Sequence, residues 1–208
     1  LSTPPKPTLR NLINMATKPG WALEMLRTTR RDFGNISGHV EGIDSKSSLS
    51  QWTAAQFDPA LSWDDVKWIK DLWQGKLIIK GIIDPEDAQM AVDAGANAVI
   101  VSNHGGRQLD GSRAPFDQLA EIVDAVGQQI DVICDGGIQR GTHVLKALSV
   151  GAKACSGGRF YLYALAAAGE SGVEKALSNL KSEIERDMKL MGCKSIADLS
   201  RDNLRFRQ

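Results

Sequence analysis

The stretch DVICDGGIQRGTHVLKALSVGAKACSGG, residues 131–158, contains a complete strand–helix–strand unit. Its first five residues are largely apolar, and a glycine-rich turn separates them from THVLKALSV, in which apolar residues recur at helical spacing. Gly151 ends this helix, and the short run KACS forms the second strand. Strands joined through a helix in this way are parallel with a right-handed crossover, so the stretch predicts an α/β fold.

The same alternation of short strands and helices extends on both sides of this unit. Strands are predicted at residues 76–80, 98–102, 131–135 and 153–156, and helices at 62–75, 85–94, 115–126, 142–150, 160–168 and 171–191. Four such units form either a doubly wound sheet or half of a (β/α)8 barrel, which needs eight strands and about 250 residues. We expect the C-terminal half of a (β/α)8 TIM barrel, strands five to eight, in residues 62–208.

Residues 1–61 precede the regular part of the chain and differ from it in character. Six basic and two acidic residues give residues 1–40 a local charge of +4, whereas the whole chain has 25 residues of each sign. Short amphipathic helices are predicted at 8–16 and 21–28, followed by a long loop at 33–61. Because basic amphipathic segments bind anionic lipid, we expect a loop segment that associates with a membrane through residues 1–42. A contact with another subunit is the alternative.

The composition excludes several classes of protein. With 42% hydrophobic and 24% charged residues and no net charge, the chain is typical of a globular protein, and no nucleic-acid partner is expected. No apolar run reaches the roughly 18 residues of a membrane-spanning helix. The cysteines, Cys134, Cys155 and Cys193, are odd in number and lack CxxC spacing, which argues against a disulfide framework or a zinc site. A reducing, cytoplasmic compartment fits this pattern.

Two glycine-rich loops follow the third and fourth predicted strands, at the end where parallel βα proteins bind their ligands. Each loop carries an arginine and opens onto a helix, so backbone N–H groups and helix dipoles form a seat for a phosphate. In (β/α)8 barrels such a site commonly follows strands seven and eight. We therefore number the four predicted strands five to eight. We expect a phosphorylated cofactor there, with Arg159, Gly158 and Gly137 on its phosphate.

A second group of polar residues follows the first two strands. His104 and Arg107 are three residues apart, so a neutral imidazole base can face a reacting carbon while the guanidinium binds a carboxylate. Lys80 would place a positive charge beside the ring of the cofactor. Together these residues indicate oxidation or proton abstraction next to a carboxylate. Without the surrounding sequence, His104 and Arg107 would more often be a surface pair, and Lys80 would as often extend into solvent.

The run SNHGGRQLDG at residues 102–111 carries a specific resemblance. With KG at 80–81 before it and DGG at 135–137 and GR at 158–159 after it, the run resembles the signature of the FMN-dependent L-2-hydroxy acid dehydrogenases and oxidases. The resemblance covers the whole chain, but only the C-terminal part of those enzymes. It implies FMN as the cofactor and the oxidation of an L-2-hydroxy acid to the 2-oxo acid.

The resemblance implies a role for each residue near the flavin ring and the substrate. Lys80 contacts the polar edge of the flavin, and Ser102 forms a hydrogen bond to it. His104 is the base that takes a proton as the substrate is oxidised, and Arg107 pairs with the substrate carboxylate.

It also implies how the other end of the cofactor is held. The ribityl and phosphate end is lined by Asp135, Gly136, Gly137, Gly158 and Arg159. Members of the family usually have an arginine where this chain has Gln139. The neighbouring Arg140 is the candidate replacement for that charge.

The resemblance finally implies a set of partners. L-lactate is the expected substrate, with mandelate and glycolate as alternatives, and the electrons pass to a quinone or a cytochrome. The N-terminal half of the barrel is a further expected partner, and the protein is expected to be a homo-oligomer bound peripherally to the inner face of the cell membrane. Two interpretations stay open beside this one: a barrel isomerase or aldolase for phosphorylated substrates, and a split gene product that acts only in assembly.

Overall fold

The computed structural model describes residues 8–29, 34, 36, 52–53 and 55–206. The chain divides into two compact units, Leu1–Leu61 and Ser62–Gln208. Among the described residues, no helix combines the length and the apolar character needed to cross a bilayer.

The first unit contains two short helices, α1 at Leu9–Ala16 and α2 at Pro19–Arg27. Thr8 begins α1 by accepting a hydrogen bond from the backbone N–H of Asn11 at 3.2 Å. The sequence prediction started α2 at residue 21, which was two residues late. Pro19 occupies the first turn of the helix, where a missing N–H costs nothing, so the helix begins at the proline and not after it.

The long loop predicted at residues 33–61 is only partly described. Trp52, Thr53 and Ala55 are helical, and the N–H of Gln56 donates to the carbonyl of Trp52 at 3.1 Å. The prediction of a loop without regular structure is therefore wrong for this short part of the chain. Most of the remaining predicted loop lies outside the described residues.

The second unit is a four-stranded parallel sheet whose strands are joined by helices. Its elements are α3 (Trp63–Leu72), β1 (Ile78–Ile82), α4 (Pro85–Asp93), β2 (Ala98–Val101), α5 (Pro115–Val126), β3 (Asp131–Asp135), α6 (Gly141–Val150), β4 (Ala154–Ser156) and α7 (Arg159–Met191). The strands lie in the order β1-β2-β3-β4, and every pair is parallel. This confirms the predicted α/β class. Two short 3-10 turns, Ile196–Asp198 and Arg201–Asn203, follow α7.

The long helix α7 contains a break, as the two separate helices of the sequence prediction required. Ala168 and Gly169 have non-helical backbone angles, and Gly169 has a φ of 61°. A residue with a side chain rarely adopts that conformation, so the glycine permits the break.

The two faces of the sheet have different environments. Val99, Val101 and Val132 are buried against Leu119 and Ile122 of α5 and form the centre of the core. Successive residues of a strand point to opposite faces, so the residues between these valines point away from the helices. One row of that second face contains Lys80, Ile100 and Ile133, which are in register. Lys80 belongs to the candidate site, and Ser102 and Asp135 lie two residues further along the same face.

Strand β1 lies two residues later than the sequence predicted, so Lys80 is inside the strand and not at its end. Two hydrogen bonds join the backbone of Leu77 to Asn97. The Leu77 N–H donates to Asn97 Oδ1 at 3.0 Å, and the Asn97 N–H donates to the Leu77 carbonyl at 2.8 Å. At the other end the strand continues through Gly81, where the register with β2 shifts. Gly81 has a φ of +105°, which lets the strand bend and bury Ile82.

Candidate active site

Three polar side chains from neighbouring strands meet at the carboxyl edge of the sheet. Lys80 Nζ donates to Ser102 Oγ at 2.9 Å and to Asp135 Oδ2 at 2.9 Å. Ser102 Oγ donates to the same oxygen of Asp135 at 2.6 Å. These residues come from β1, the end of β2 and the end of β3, so the parallel order of the strands brings together residues that are 22 to 55 positions apart.

The charges in this cluster are matched. Burial raises the pKa of the Asp135 carboxyl, but hydrogen bonds from Ser102 and Lys80 and a further one from Ser156 lower it more. The net pKa of Asp135 therefore lies below its ordinary value. Ser102 is fully buried, and a buried hydroxyl needs partners of this kind. Lys80 and Asp135 form an ion pair of 2.9 Å, with Ser102 bonded to both partners.

His104 is bonded to this cluster through its backbone and lies on the loop that follows β2. Its backbone N–H donates to Ser102 Oγ at 3.1 Å. Its φ is 56°, which makes it the one non-glycine residue with a positive φ in the part of the chain that the structure describes. Non-glycine residues held in this region cost energy and are concentrated at functional sites. Arg107 lies on the same loop and is exposed.

The turn after His104 is fixed by a local side chain. Asn103 Oδ1 accepts the N–H of Gly105 at 3.1 Å and that of Gly106 at 3.2 Å, and both glycines have a positive φ. Arg159, at the start of α7, donates from Nη2 to the carbonyl of Gly105 at 2.5 Å. The arginine expected on a phosphate therefore also contacts the loop that carries the expected base.

The glycine loops after β3 and β4 each contain one residue with open space beside its backbone. Gly136 and Gly137 have φ values of 123° and 72°, and a Cβ at Gly136 would come within 3.1 Å of the Pro115 ring. A Cβ built on Gly137 or Gly158 would meet no atom within 4 Å. Backbone with this freedom and without side chains can approach an anion closely.

Arg140 has a different environment from the other predicted cofactor residues. Its Nε donates to Glu183 Oε1 at 2.8 Å, and the other carboxylate oxygen, Oε2, accepts the N–H of Gly141 at 2.8 Å. Sequence reasoning treated Arg140 as a candidate phosphate ligand and the start of α6 as part of the phosphate seat. In the structure a glutamate from α7 holds both groups.

Sequence reasoning missed three residues of this region. Glu183 gave no signal, because nothing in the sequence of a long polar helix singles out one glutamate. His143 also went unnoticed; its Nδ1 lies 3.0 Å from the carbonyl oxygen of Gly137 and 3.3 Å from the N–H nitrogen of Gln139. Ser156, which bonds to Asp135, was detectable because it ends β4 on the same face as Asp135.

Polar side chains and glycine loops at the carboxyl edge of a parallel α/β sheet are the arrangement found where (β/α)8 barrels and doubly wound proteins bind their ligands. The chain belongs to the family of FMN-dependent dehydrogenases, whose family model matches residues 1–206. This confirms the family that the sequence resembles, and with it the predicted fold.

The chain spans about half the length of the relatives that it matches. It is 43% identical over 201 residues to an L-lactate dehydrogenase of Pectobacterium atrosepticum, which covers 96% of this chain and 52% of the relative. It is 42% identical to an L-lactate dehydrogenase of Yersinia pestis, with 96% and 53% coverage.

Solved structures show the same partial coverage. The structure of the monotopic membrane protein (S)-mandelate dehydrogenase is 36% identical with a TM-score of 0.91, over 99% of this chain and 54% of that one. Flavocytochrome b2 is 43% identical with a TM-score of 0.68, over 76% of this chain and 43% of that one. The four strands and their helices thus correspond to part of a barrel.

Proposed function

We propose that the chain forms part of an enzyme that oxidises an L-2-hydroxy acid to the 2-oxo acid with FMN. The observation that carries this proposal is the cluster of Lys80, Ser102 and Asp135, to which the strained backbone of His104 is bonded. A cation, a buried hydroxyl and a base at one edge of a parallel sheet match the needs of a flavin site next to a substrate carbon.

The residues at the edge of the sheet fit FMN along its length. Lys80 has a third ammonium N–H beyond those given to Ser102 and Asp135, and it offers this donor to the polar edge of the ring. The backbone at Gly137 and Gly158, where a Cβ would meet no atom within 4 Å, leaves room for the ribityl chain and phosphate. Arg159, at the N-terminus of α7, supplies the cation for the phosphate, and Gly158 precedes it. When bound, FMN would supply the acceptor for the two electrons and the second hydrogen that the substrate alcohol loses.

The residues of this chain then have separate tasks in the reaction. Arg107 binds the substrate carboxylate and orients the hydroxyl-bearing carbon. His104 accepts a proton as that carbon is oxidised, which accounts for one of the two hydrogens that the alcohol loses. Asp135 holds the ammonium of Lys80 and the hydroxyl of Ser102 in fixed directions. Because these groups are in place before substrate arrives, little reorganisation is needed during the reaction.

L-lactate is the first candidate substrate, and (S)-mandelate is the second. The relatives of similar sequence are L-lactate dehydrogenases, whereas the structural match with a TM-score of 0.91 is an (S)-mandelate dehydrogenase. Glycolate is a third. The family match favours all of these over an isomerase or aldolase of phosphorylated substrates.

We also infer the partners of this enzyme. The helices α1 and α2 expose apolar side chains, among them Leu12, Ile13 and Trp21, next to basic residues. Such a surface suits the anionic inner face of the cell membrane, where a quinone or cytochrome accepts the electrons. The other four barrel strands are a further partner, because β1 and β4 each pair on one side only in the described sheet. A homo-oligomer is part of the same proposal.

The visible absorption spectrum tests the proposed function. The chain is purified alone and together with a matching N-terminal half, and L-lactate is added without oxygen. We expect a flavin band that bleaches with L-lactate in the wild type, and a band that stays unbleached in a His104→Asn variant. Bleaching with mandelate or glycolate but not with L-lactate would change the proposed substrate and leave the proposed reaction, oxidation of a 2-hydroxy acid, unchanged. The absence of flavin from both preparations would overturn the proposal.

A further inference from the structure

Glu183 of α7 is bonded to both residues at the start of α6. One carboxylate oxygen accepts from the Arg140 side chain and the other from the Gly141 backbone, each at 2.8 Å. Arg140 precedes the first residue of α6 but supplies no side-chain cap of its own. A residue 42 positions away therefore performs the capping task that a neighbouring side chain usually performs.

The packing at this point leaves little freedom. A Cβ built on Gly141 would lie 2.6 Å from Glu183 Cβ and 2.7 Å from the backbone nitrogen of Ile184. Only glycine allows α7 to approach the first turn of α6 so closely. The carboxylate of Glu183 is thus held in place by the contact between the two helices.

This contact fixes one end of the glycine loop, residues 136–139. The other end is fixed where Asp135 accepts hydrogen bonds from Lys80 and Ser102. In the middle of the loop, the carbonyl oxygen of Gly137 lies 3.0 Å from Nδ1 of His143, which is a residue of α6. The loop is therefore held at both ends and in its middle, and Glu183 holds the end next to α6.

We propose that Glu183 is a positioning residue for the phosphate of the cofactor. It sets the direction of the N–H groups of the glycine loop by holding the start of α6 through the Gly141 N–H. This inference rests on the proposed function, because it assigns the glycine loop to the phosphate of FMN. It adds a residue that touches neither cofactor nor substrate.

Riboflavin separates this role from a general effect on folding, because riboflavin is FMN without its phosphate. Binding of FMN and of riboflavin to the full chain is measured by flavin fluorescence for the wild type, Glu183→Gln and Glu183→Ala. Glu185→Ala is the matched control, since Glu185 lies on the same helix and makes only an exposed 3.8 Å pair with Lys181. We expect a roughly tenfold loss of FMN affinity in Glu183→Ala, a smaller loss in Glu183→Gln, and riboflavin affinity within about twofold of wild type.

The possible outcomes separate the inference from the proposed function. Equal losses of FMN and riboflavin, or no loss of FMN, would overturn the inference while leaving the proposed function in place. Wild-type protein that binds FMN no more tightly than riboflavin would contradict the phosphate seat itself. Wild-type protein that binds neither flavin would count against the proposed function for this chain.

Amide hydrogen exchange provides a readout that needs no flavin. Residues 136–141 are followed with and without inorganic phosphate in the wild type and in Glu183→Ala, the variant with the larger expected loss. We expect phosphate to slow exchange in the wild type and to have little effect in the variant. Equal protection in both proteins would overturn the positioning role.

Discussion

The imidazole of His104 lies against the backbone of Gly81, where a Cβ atom would come within 2.8 Å of Nε2. Gly81 is also the residue at which β1 shifts its register with β2. The bulge in one strand thus provides the surface on which the proposed base rests. Because both residues have a positive φ, the backbone at neither position can shift easily, so a clash would be relieved by rotation of the exposed imidazole.

Gly81→Ala is therefore expected to displace the imidazole. In the complex with the N-terminal half, we expect roughly a 100-fold loss in kcat for the hydroxy acid, because small displacements of catalytic groups have effects of this size. Gly192→Ala is the control: Gly192 also has a positive φ, 75°, but no atom lies within 4 Å of its Cβ position. Both variants are expected to lose about 1 kcal/mol of stability. Equal kcat values in both variants would contradict the proposed contact.

Asp135→Asn removes the negative charge beside Lys80. The Asp135 side chain is 14% exposed and accepts hydrogen bonds from Lys80, Ser102 and Ser156. We expect the free energy of unfolding, measured with urea, to fall by about 1–2 kcal/mol. The control is Asp64→Asn, whose pair with Lys67 is exposed and is expected to contribute less than about 0.5 kcal/mol. A similar small change at both positions would show that the cluster does not stabilise the fold.

Much of this edge of the sheet follows from the sequence, because it depends on local patterns. Alternating strands and helices place the residues after each strand at one edge, so Lys80, Ser102 and Asp135 are brought together by the parallel order alone. The position of β1 does not follow in the same way. Its offset of two residues depends on the Asn97 side chain, which bonds to Leu77 from 20 residues away, and such a contact leaves no periodic pattern.

The role of Arg140 shows the same limit more clearly. In the sequence Arg140 stands in a glycine-rich loop beside Gln139, where a phosphate contact is a natural interpretation. Its partner Glu183 lies 43 residues away, and no local signal connects the two. Long-range pairs of charged side chains are fixed by the packing of helices, which sequence patterns describe only in part.

The stability of the chain is expected to decrease in acid. The folded-state pKa values of Asp135 and Glu183 are below their ordinary values. For such groups the stabilisation is complete above the unfolded-state pKa, near 4, and is lost as the pH falls through the lower folded-state pKa. Urea unfolding at pH 7, 5 and 3 should therefore give similar free energies at the first two values and a lower one at pH 3. A smaller drop in Asp135→Asn would assign part of this effect to Asp135.

Cys134 and Cys155 are expected to be unreactive in the folded chain. Burial raises the pKa of the Cys134 thiol to about 12 and that of Cys155 to about 11. Since the thiolate is the reactive form, alkylation by iodoacetamide at pH 8 should be slow in native protein and fast in urea. Mass spectrometry of the separate peptides measures each site. Rapid alkylation of Cys134 under native conditions would contradict its burial.

Arg159 and Arg140 are expected to differ in their effect on cofactor binding, although the two occupy similar places in the sequence. Arg159 begins α7 and contacts Gly105, whereas Arg140 is paired with Glu183. Arg159→Ala should therefore weaken FMN binding at least tenfold and riboflavin binding much less, because a charge-assisted bond to the phosphate is lost. Arg140→Ala should leave FMN affinity within about threefold of wild type, since Gly141 retains its bond to Glu183. If Arg140→Ala reduced FMN affinity as much as Arg159→Ala, Arg140 would belong to the phosphate site and would have to exchange Glu183 for the phosphate when the cofactor binds.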